Sequence, residues 1–223
     1  MQDDDKGQRG ARRRERAAAA TQAEIVEAAR RLFVERGYVG TTIEAIAEAA
    51  GVAVQTIYNS VGAKRDLLSR VLDYSAAGAQ APVSVPEFMR ARTANAAGAS
   101  EIVALLADWF VEVHGRTAPI MRVIQDAAAV DTEVATLEAR RARQRFENYR
   151  EPVHEIARRG GPDHGAEVDD GAAVIWTLGH PTVYRFLVLE QGWSIERYRA
   201  WVERGLYAQL LGAGGGGADA LTP

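Results

Sequence analysis

The sequence contains no cysteine, which excludes disulfide bridges and thiol-based redox sensing. It has no apolar run near the roughly 20 residues that cross a membrane and no secretory signal segment, so we expect a cytoplasmic protein. Enzyme signatures are also missing, because there is no GxSxG turn, phosphate-binding glycine loop or cysteine nucleophile. His154 and Glu155 begin an HExxH-like string, but Arg158 replaces the second zinc ligand. We therefore expect no catalytic residues, no metal site and no cofactor.

Charge is distributed unevenly along the 223 residues, whose formal net charge is -3. Residues 1–70 carry 12 Lys and Arg against 10 Asp and Glu, a net charge of +2, whereas residues 71–223 carry a net charge of -5. A positive excess favours contact with a polyanion such as nucleic acid. The N-terminal third is therefore the part of the chain expected to meet phosphates.

The stretch between Gly37 and Leu68 predicts two short helices joined by a tight turn. Thr41 and Glu44 form a capping box that opens the first helix, and an apolar stripe follows at helical spacing. Gly51 ends that helix, because the residue after a helix often needs a left-handed backbone, which glycine adopts at low cost. The second helix then leaves short polar side chains facing outward: Gln55, Thr56, Asn59 and Ser60. A helix-turn-helix of this kind places its second helix in the major groove of DNA.

Another helix and a basic tail precede this pair. Thr21 and Glu24 predict a capping box at the start of an amphipathic helix that ends at Gly37. Residues 1–18 are expected to form a flexible arm rich in basic side chains, among them Arg12, Arg13, Arg14 and Arg16. Such an arm attracts phosphates in a salt-dependent way and can enter the minor groove. A solvated tail that does not touch DNA is the alternative.

From about Thr21 to Leu68 the sequence resembles the DNA-binding domain of TetR-family transcriptional regulators. The resemblance rests on spaced residues that a generic helix-turn-helix does not share: Gly37-Tyr38, Thr41-Thr42-Ile43, Ile46-Ala47, Ala50-Gly51-Val52, Ile57-Tyr58, Lys64 and Asp66-Leu67. It implies an N-terminal DNA-binding domain over residues 19–68.

In that family the helix after the glycine turn reads DNA. The resemblance implies contacts to bases or phosphates from a set of side chains in and around this helix: Thr41, Thr42, Gln55, Thr56, Tyr58, Asn59 and Lys64. Tyr58 packed in the core and a merely solvated Lys64 are the alternatives. Four residues depart from the common family pattern, so the resemblance does not imply an operator sequence: Ala53, Ser60, Val61 and Ala63.

Beyond Leu68 the sequence is rich in alanine and helical in pattern, which predicts a second, all-helical domain over residues 69–211. Gly78–Pro86 interrupts the helical pattern and marks its start. New helices are predicted at five further positions: Ser100, Pro119, Asp131, Asp169 or Asp170, and Ser194. The glycine-rich tail, 212–223, is expected to be disordered.

The segment from Asp169 to Glu190 is apolar over most of its circumference, so it must be buried on more than one side. A central core helix of a monomer is one interpretation. The other is a helix shared with a second copy, since paired helix-turn-helix units read two half-sites of a palindrome. We favour the homodimer and expect its interface to include Ile175, Leu178, Gly179, Thr182, Val183, Phe186 and Leu189. Pro181 is expected to kink the helix.

Aromatic and polarizable side chains in the second domain are sufficient to line a ligand pocket. The candidates are Trp109, Phe110, His114, Met121, Phe146, Trp176 and Tyr184, with His114 as a polar anchor. Ordinary core packing is the alternative for each of them. The resemblance implies a small-molecule effector that binds between these helices and weakens DNA binding.

Together these features predict an all-α protein with an N-terminal three-helix helix-turn-helix domain, followed by a helical ligand-binding and dimerisation domain. We expect a sequence-specific regulator of transcription, a ligand-responsive repressor that binds a palindromic operator in double-stranded DNA as a homodimer. Its effector is an unknown small molecule, and no membrane is involved. The alternatives are an all-α small-molecule-binding protein or enzyme without DNA readout, and a structural helical adaptor. Activation instead of repression also remains open.

Overall fold

The computed structural model describes residues 2–78, 85–162 and 167–212; for residues 2–11 and Arg14 it describes only the backbone. Every regular element in these ranges is helical, which confirms the predicted all-α fold. The helices are α1 (Gln2–Arg36), α2 (Ile43–Ala50), α3 (Val54–Ser60), α4 (Lys64–Ala77), α5 (Val85–Thr93), α6 (Ala99–Ala128), α7 (Thr132–Asn148), α8 (Arg150–Arg158), α9 (Val168–Leu178), α10 (Pro181–Tyr184), a π-helical segment (Arg185–Glu190) and α11 (Ile195–Leu210). Most of the predicted tail, from residue 213 on, lies outside the described residues.

The described helices divide into two compact units. The first unit takes the residues up to Ser75 together with Pro119–Thr136, and the second takes Ala76–Ala118 and the residues from Leu137 onward. The sequence analysis assigned all of 69–211 to one domain. The apolar side chains of 119–136 nevertheless pack in the core of the first unit, because they bury against helices that are distant in sequence.

Helix α1 begins earlier than predicted. Thr21 and Glu24 lie inside it, so the capping box predicted there is wrong, and the residues expected to form a flexible arm continue the same helix. Alanine, arginine and glutamate are strong helix formers, and the run from Ala11 to Ala20 contains no proline or glycine. The helix ends just before Gly37, as predicted, and Gly37 has a left-handed backbone with φ 71°.

Helices α2 and α3 form the predicted helix-turn-helix. The N-cap of α2 is Thr42, whose side chain accepts a hydrogen bond from the Ala45 N–H at 3.1 Å. The capping box predicted at Thr41 and Glu44 is therefore wrong, because the cap lies one residue later and Ala45 has no polar side chain to complete a box. Gly51 ends α2 with φ 66°, the left-handed geometry that was predicted. No side chain caps the start of α3, because Ala53 at its N-cap has no acceptor to offer.

Two of the five helix starts predicted beyond Leu68 are confirmed. The caps predicted at Ser100 and at Asp169 or Asp170 are wrong, because α6 already begins at Ala99 and α9 at Val168. Asp131 Oδ1 accepts hydrogen bonds from the N–H groups of Glu133 and Val134, at 2.9 and 3.2 Å, and so caps α7. Ser194 caps α11 through a hydrogen bond from the Arg197 N–H. Pro119 starts no helix and lies inside α6. A proline removes one backbone hydrogen bond, and the long α6 continues through that loss.

The stretch Val168–Glu190 is long and apolar enough to cross a membrane by length and composition alone, although the sequence analysis expected no such run. The same composition occurs in core helices of proteins that never enter a membrane, so this is weak evidence. Gly179 and His180 end α9, and Pro181 occupies the first turn of α10. The predicted kink is therefore a complete break between two helices, since proline suits a first turn, where its missing N–H costs nothing.

Candidate functional site

The core of the first unit determines which side of α3 is exposed. Ile57 is fully buried in that core, and Val54 and Val61 pack against it. Gln22 of α1 donates a hydrogen bond from Nε2 to the Ser60 carbonyl oxygen at 3.1 Å, which ties the end of α3 to α1. The side of α3 opposite Ile57 is therefore left at the surface.

Three of the side chains predicted to contact DNA are exposed on α3, namely Gln55, Tyr58 and Asn59. Tyr58 keeps 48% of its surface exposed, so it is not one of the core residues of α3. Gln55 Nε2 donates to Asn59 Oδ1 at 2.9 Å across one helical turn. Side-chain amides carry both donors and acceptors, the combination that reads an adenine edge in the major groove. Thr56, between them in sequence, is half-buried.

Thr41 and Thr42 have different environments. Thr41 is fully buried, and its Oγ1 lies 3.1 Å from the Leu32 carbonyl oxygen and 2.8 Å from that of Gly37, to which the hydroxyl donates. The phosphate contact predicted for Thr41 is therefore wrong, because this hydroxyl is used inside the core at the turn between α1 and α2. Thr42 is exposed at the N-terminus of α2, where backbone N–H groups favour an anion.

Lys64 is the first residue of α4, as the resemblance implied. Its Nζ lies 4.3 Å from the centroid of the Tyr38 ring, a cation–π contact. Partial burial lowers the pKa of Lys64. Ala63 is one of the residues that depart from the family pattern, and Asp66 compensates for it. The Asp66 Oδ2 accepts a hydrogen bond from the Ala63 N–H at 2.9 Å. This carboxylate ties down the first turn of α4 where a capping serine is missing.

The basic residues expected in the N-terminal arm lie along α1. The side chains of Arg12, Arg13 and Arg16 are exposed there, and that of Arg14 lies outside the described residues. Exposed guanidinium groups spaced along a helix suit contact with phosphates. Their role in DNA binding stays a prediction.

A polar link within the first unit was missed by the sequence analysis. The Tyr38 hydroxyl donates a hydrogen bond to Asp131 Oδ2 at 3.2 Å, and Arg65 of α4 forms an ion pair with Glu133 of α7. Burial and the nearby Asp131 raise the pKa of Tyr38 to about 12, so its hydroxyl remains a donor. The sequence marked Tyr38 as part of a motif but contained no sign of its partner 93 residues away.

The second unit contains a connected group of aromatic rings, here called the aromatic cluster: Phe110, His114, Phe146, Tyr149, Trp176, His180, Tyr184 and Tyr198. His114 stacks on Phe110 with ring centroids 5.8 Å apart. Tyr184 contacts both His114 and Tyr198, at centroid distances of 5.6 and 5.1 Å. Five of the seven predicted pocket residues belong to this cluster, and three of its members were not predicted: Tyr149, His180 and Tyr198.

His114 is the predicted polar anchor of this group and is almost fully buried. Its Nε2 lies 2.9 Å from the Gly179 carbonyl oxygen. Burial lowers the pKa of His114 to about 4, with smaller contributions from the nearby Arg145 and His180. Within the described residues two buried polar atoms lack a hydrogen-bond partner, His114 Nδ1 and Tyr198 Oη. Such atoms are rare in folded proteins and call for an explanation.

Two predicted pocket residues lie elsewhere. Met121 is buried in the core of the first unit, so its assignment to a pocket with the other residues is wrong. The reason is that α6 contributes to both units, and Met121 lies beyond the residue at which they divide. Trp109 belongs to the second unit, where its ring contacts Phe88 and the Arg116 guanidinium.

The residues predicted for a dimer interface divide into buried and exposed groups. Ile175 is fully buried in the core of its own chain, and a Cβ added at Gly179 would overlap the Phe110 ring. These two residues cannot meet a second copy, because side chains of the same chain already cover them. Phe186 and Leu189 remain 50% and 58% exposed on the π-helical segment. Partial exposure remains at the others, Leu178, Thr182 and Val183.

Comparison with known proteins places the first unit in a family. Residues 25–71 match the family described as "Bacterial regulatory proteins, tetR family". The HTH-type transcriptional regulator TtgR of Pseudomonas putida is 44% identical over 62 residues, which is 28% of this chain and 30% of TtgR. The chain thus aligns with less than a third of that relative's length.

Solved structures resemble the chain over most of its length. NalD, described as the secondary repressor of the MexAB-OprM multidrug efflux pump in Pseudomonas aeruginosa, has a TM-score of 0.65 at 16% identity, covering 87% of this chain and 98% of NalD. AibR, solved with isovaleryl coenzyme A and operator DNA, has a TM-score of 0.55 at 18% identity, covering 86% of this chain and 98% of AibR. These likenesses establish the shared all-α fold. The match at residues 25–71 places that segment of the chain in the TetR family of bacterial regulatory proteins.

Proposed function

We propose that this chain is a ligand-responsive repressor that binds a palindromic operator as a homodimer. The observation that carries the proposal is the exposed side of α3. Gln55, Tyr58 and Asn59 are exposed there, and the side-chain amides of Gln55 and Asn59 are hydrogen-bonded to each other. The core holds α3 by Ile57, and a hydrogen bond from α1 holds its end. A rigid helix with an exposed amide surface is what major-groove readout requires.

Repression and DNA binding have further support among relatives. NalD is described as a repressor, and AibR was solved on operator DNA. The cytoplasm is the expected location, since the proposed target is double-stranded DNA. As a regulatory protein the chain is not expected to catalyse a reaction, and among the described residues no group of three or more acidic or histidine side chains could hold a metal.

The homodimer is supported by apolar surface in the second unit. Phe186 and Leu189 lie three residues apart, and both keep half or more of their surface exposed. They belong to Val168–Glu190, and only 22% of an 18-residue stretch of this segment is buried within one chain. A second copy of the chain would cover this surface and would supply the second recognition helix that a palindrome requires.

Ligand response is supported by the aromatic cluster of the second unit, which combines apolar rings with two unpartnered polar atoms. The two recognition helices have one spacing that fits DNA and another that does not. A ligand releases the operator only if it binds the dimer more tightly when the helices have the spacing that does not fit DNA. A molecule with equal affinity for both arrangements would change nothing. AibR, which was solved with isovaleryl coenzyme A, has the same fold.

Selection of bound sites from random DNA tests the operator. We expect a two-fold symmetric site with half-sites about one helical turn apart or a multiple of it. The variant carrying both Gln55→Ala and Asn59→Ala should bind the selected site about tenfold to a hundredfold more weakly and with less base preference. Gln209→Ala, at an exposed glutamine of α11, is the matched control. An asymmetric selected site, or unchanged binding by the double variant, would contradict the proposal.

Analytical ultracentrifugation tests the homodimer. Phe186→Glu together with Leu189→Glu should shift the chain from dimer to monomer, because a charge buried in an apolar interface loses its hydration. Val130→Glu is the control, since Val130 is 69% exposed in the other unit. A monomeric wild-type chain at micromolar concentration would rule out the dimer.

A further inference from the structure

The two unpartnered polar atoms of the aromatic cluster identify the kind of ligand that would fit it. His114 and Tyr198 are 5% and 0% exposed, and neither His114 Nδ1 nor Tyr198 Oη has a hydrogen-bond partner in the described part of the chain. Each atom loses its hydrogen bonds to water on burial and gains nothing in return. A ligand that pairs with both atoms would recover that loss, so the chemistry of the two atoms constrains the ligand.

His114 Nδ1 is an acceptor. The partner of Nε2 is the Gly179 carbonyl oxygen at 2.9 Å, and a carbonyl oxygen only accepts, so Nε2 carries the ring proton. Burial keeps the pKa of His114 well below neutrality, so the ring holds no second proton. Nδ1 therefore presents a lone pair. A ligand group placed against it must carry an O–H or N–H, which a carboxylate does not.

Tyr198 Oη is a donor as well as an acceptor. Burial raises the pKa of Tyr198, and the nearby hydroxyls of Tyr184 and Tyr149 raise it further, so the phenol keeps its proton. The rings of His114 and Tyr198 both contact Tyr184, at centroid distances of 5.6 and 5.1 Å. The side chains that carry the two unpartnered atoms therefore contact the same aromatic ring, that of Tyr184.

The charge near the cluster disfavours a cation. The Arg145 guanidinium lies 4.9 Å from the Trp176 centroid, and it lowers the pKa of both His114 and His180. Its ion-pair partner Glu138 is 4.0 Å away, and burial raises the pKa of that carboxyl group. A cation bound among these rings would be repelled by Arg145.

We propose that the aromatic cluster binds an uncharged apolar molecule bearing a hydroxyl group. The hydroxyl donates to His114 Nδ1, and an oxygen of the same molecule accepts from Tyr198 Oη. The apolar body packs against the surrounding rings, among them Tyr184. This inference rests on the proposed ligand response and names the chemical class of the effector.

A set of naphthalene derivatives tests the class, because they share one planar body and differ in a single group. The probes are 2-naphthol, 2-methylnaphthalene, 2-naphthoate and 2-naphthylmethylammonium, with binding to the full chain measured by calorimetry. We expect 2-naphthol to bind at least about tenfold more tightly than each of the others, the ratio expected from one or two buried hydrogen bonds. Equal or tighter binding of the methyl, anionic or cationic probe would overturn the proposal, and so would the failure of 2-naphthol to bind.

Two conservative variants test the two atoms. Tyr198→Phe removes only the hydroxyl, and His114→Phe keeps an aromatic ring while it removes the acceptor Nδ1 together with the donor to the Gly179 carbonyl oxygen. Each should weaken 2-naphthol binding about tenfold and leave 2-methylnaphthalene binding unchanged. The matched controls are Tyr207→Phe and His154→Phe, at exposed residues of α11 and α8. Unchanged 2-naphthol affinity in both test variants would mean that the two atoms bind water instead of a ligand, which overturns the proposal.

Operator binding measured in parallel separates this inference from the proposed function. A chain that prefers 2-naphthol but has no sequence-specific DNA affinity would contradict the repressor function and support the ligand class. A chain that binds its operator with the expected symmetry but shows no preference for the hydroxyl probe would contradict the ligand class alone. Circular dichroism of each variant confirms that a lost affinity does not come from unfolding.

Discussion

The hydroxyl of Tyr38 donates a hydrogen bond to Asp131 Oδ2 at 3.2 Å. Tyr38 follows α1 and supports Lys64 of α4 on its ring, while Asp131 caps α7 through its other carboxylate oxygen. One carboxylate thus serves the start of α7 and the turn that precedes the helix-turn-helix. The hydrogen bond also joins the segment 119–136, which contains Asp131, to the rest of the first unit.

Removing this hydrogen bond should destabilise the first unit. Tyr38→Phe keeps the ring beneath Lys64 and removes the hydroxyl, so we expect the free energy of unfolding to fall by about 1 kcal/mol. Urea denaturation followed by circular dichroism measures the change. Tyr74→Phe, at a tyrosine of α4 that is 40% exposed, serves as the control and should change stability little. A Tyr38→Phe variant as stable as the wild type would show that Asp131 holds its place through the cap alone.

The uncapped start of α3 offers a stabilising substitution. Ala53 has φ -72° and ψ 147°, the extended geometry of an N-cap residue, and it makes no side-chain hydrogen bond. Ala53→Ser supplies the missing acceptor and should raise the free energy of unfolding by about 0.5–2 kcal/mol. Thermal unfolding measures the gain, and Ala53→Gly, which offers no side-chain acceptor, is the comparison. A serine variant no more stable than the glycine variant would contradict the capping argument.

Gly179 should not tolerate a larger side chain. A Cβ at this residue would overlap the Phe110 ring, and the Gly179 carbonyl oxygen also accepts the hydrogen bond from His114. Gly179→Ala should therefore cost about 1–3 kcal/mol of stability through overpacking. Gly98→Ala is the matched control, because nothing lies within 4 Å of a Cβ built there. Combining Gly179→Ala with Phe110→Leu should recover part of the loss. No recovery would mean that the Phe110 ring is not the obstacle.

Acid should destabilise the protein through His114. Burial lowers its pKa from the ordinary value of 6.5 to about 4, so between these values the unfolded chain binds a proton that the folded chain does not. This contribution to stability is fully present above pH 6.5 and is lost as the pH falls towards 4. The loss amounts to about 3 kcal/mol at most.

Urea titrations at pH 7 and pH 4.5 measure this acid sensitivity. His114→Gln cannot take up the proton, so its stability should fall less between the two pH values than that of the wild type. His154→Gln, at an exposed histidine of α8, should retain the wild-type difference. Equal acid sensitivity in all three proteins would assign the effect to other groups, such as His180, whose pKa burial also lowers.

Local signals in the sequence were sufficient for the helix-turn-helix. The apolar spacing around Ile57 and the left-handed turn at Gly51 depend on residues a few positions apart, and both are as predicted. The outward position of Gln55 and Asn59 follows from the same periodicity. These features belong to the helices themselves, so the order of residues along the chain determines them.

Tertiary packing decided what periodicity could not. Thr41 and Thr42 are neighbours in sequence, yet one is buried against Leu32 and the other caps α2, because the path of the turn assigns them opposite environments. The residues before Thr21 are helical, although their positive charge suggested a flexible arm. Alanine, arginine and glutamate favour a helix whether or not the side chain is charged.

The pairing of distant side chains also belongs to the tertiary structure. The sequence by itself determined the family resemblance of residues 25–71, the helical class and the aromatic composition of the second domain. Only the folded chain brings His114 to Gly179, 65 residues away, and places Tyr198 one ring from His114. The physical reason is that a buried polar atom is partnered by whatever the packing brings within about 3 Å, and the local sequence carries no record of that distance.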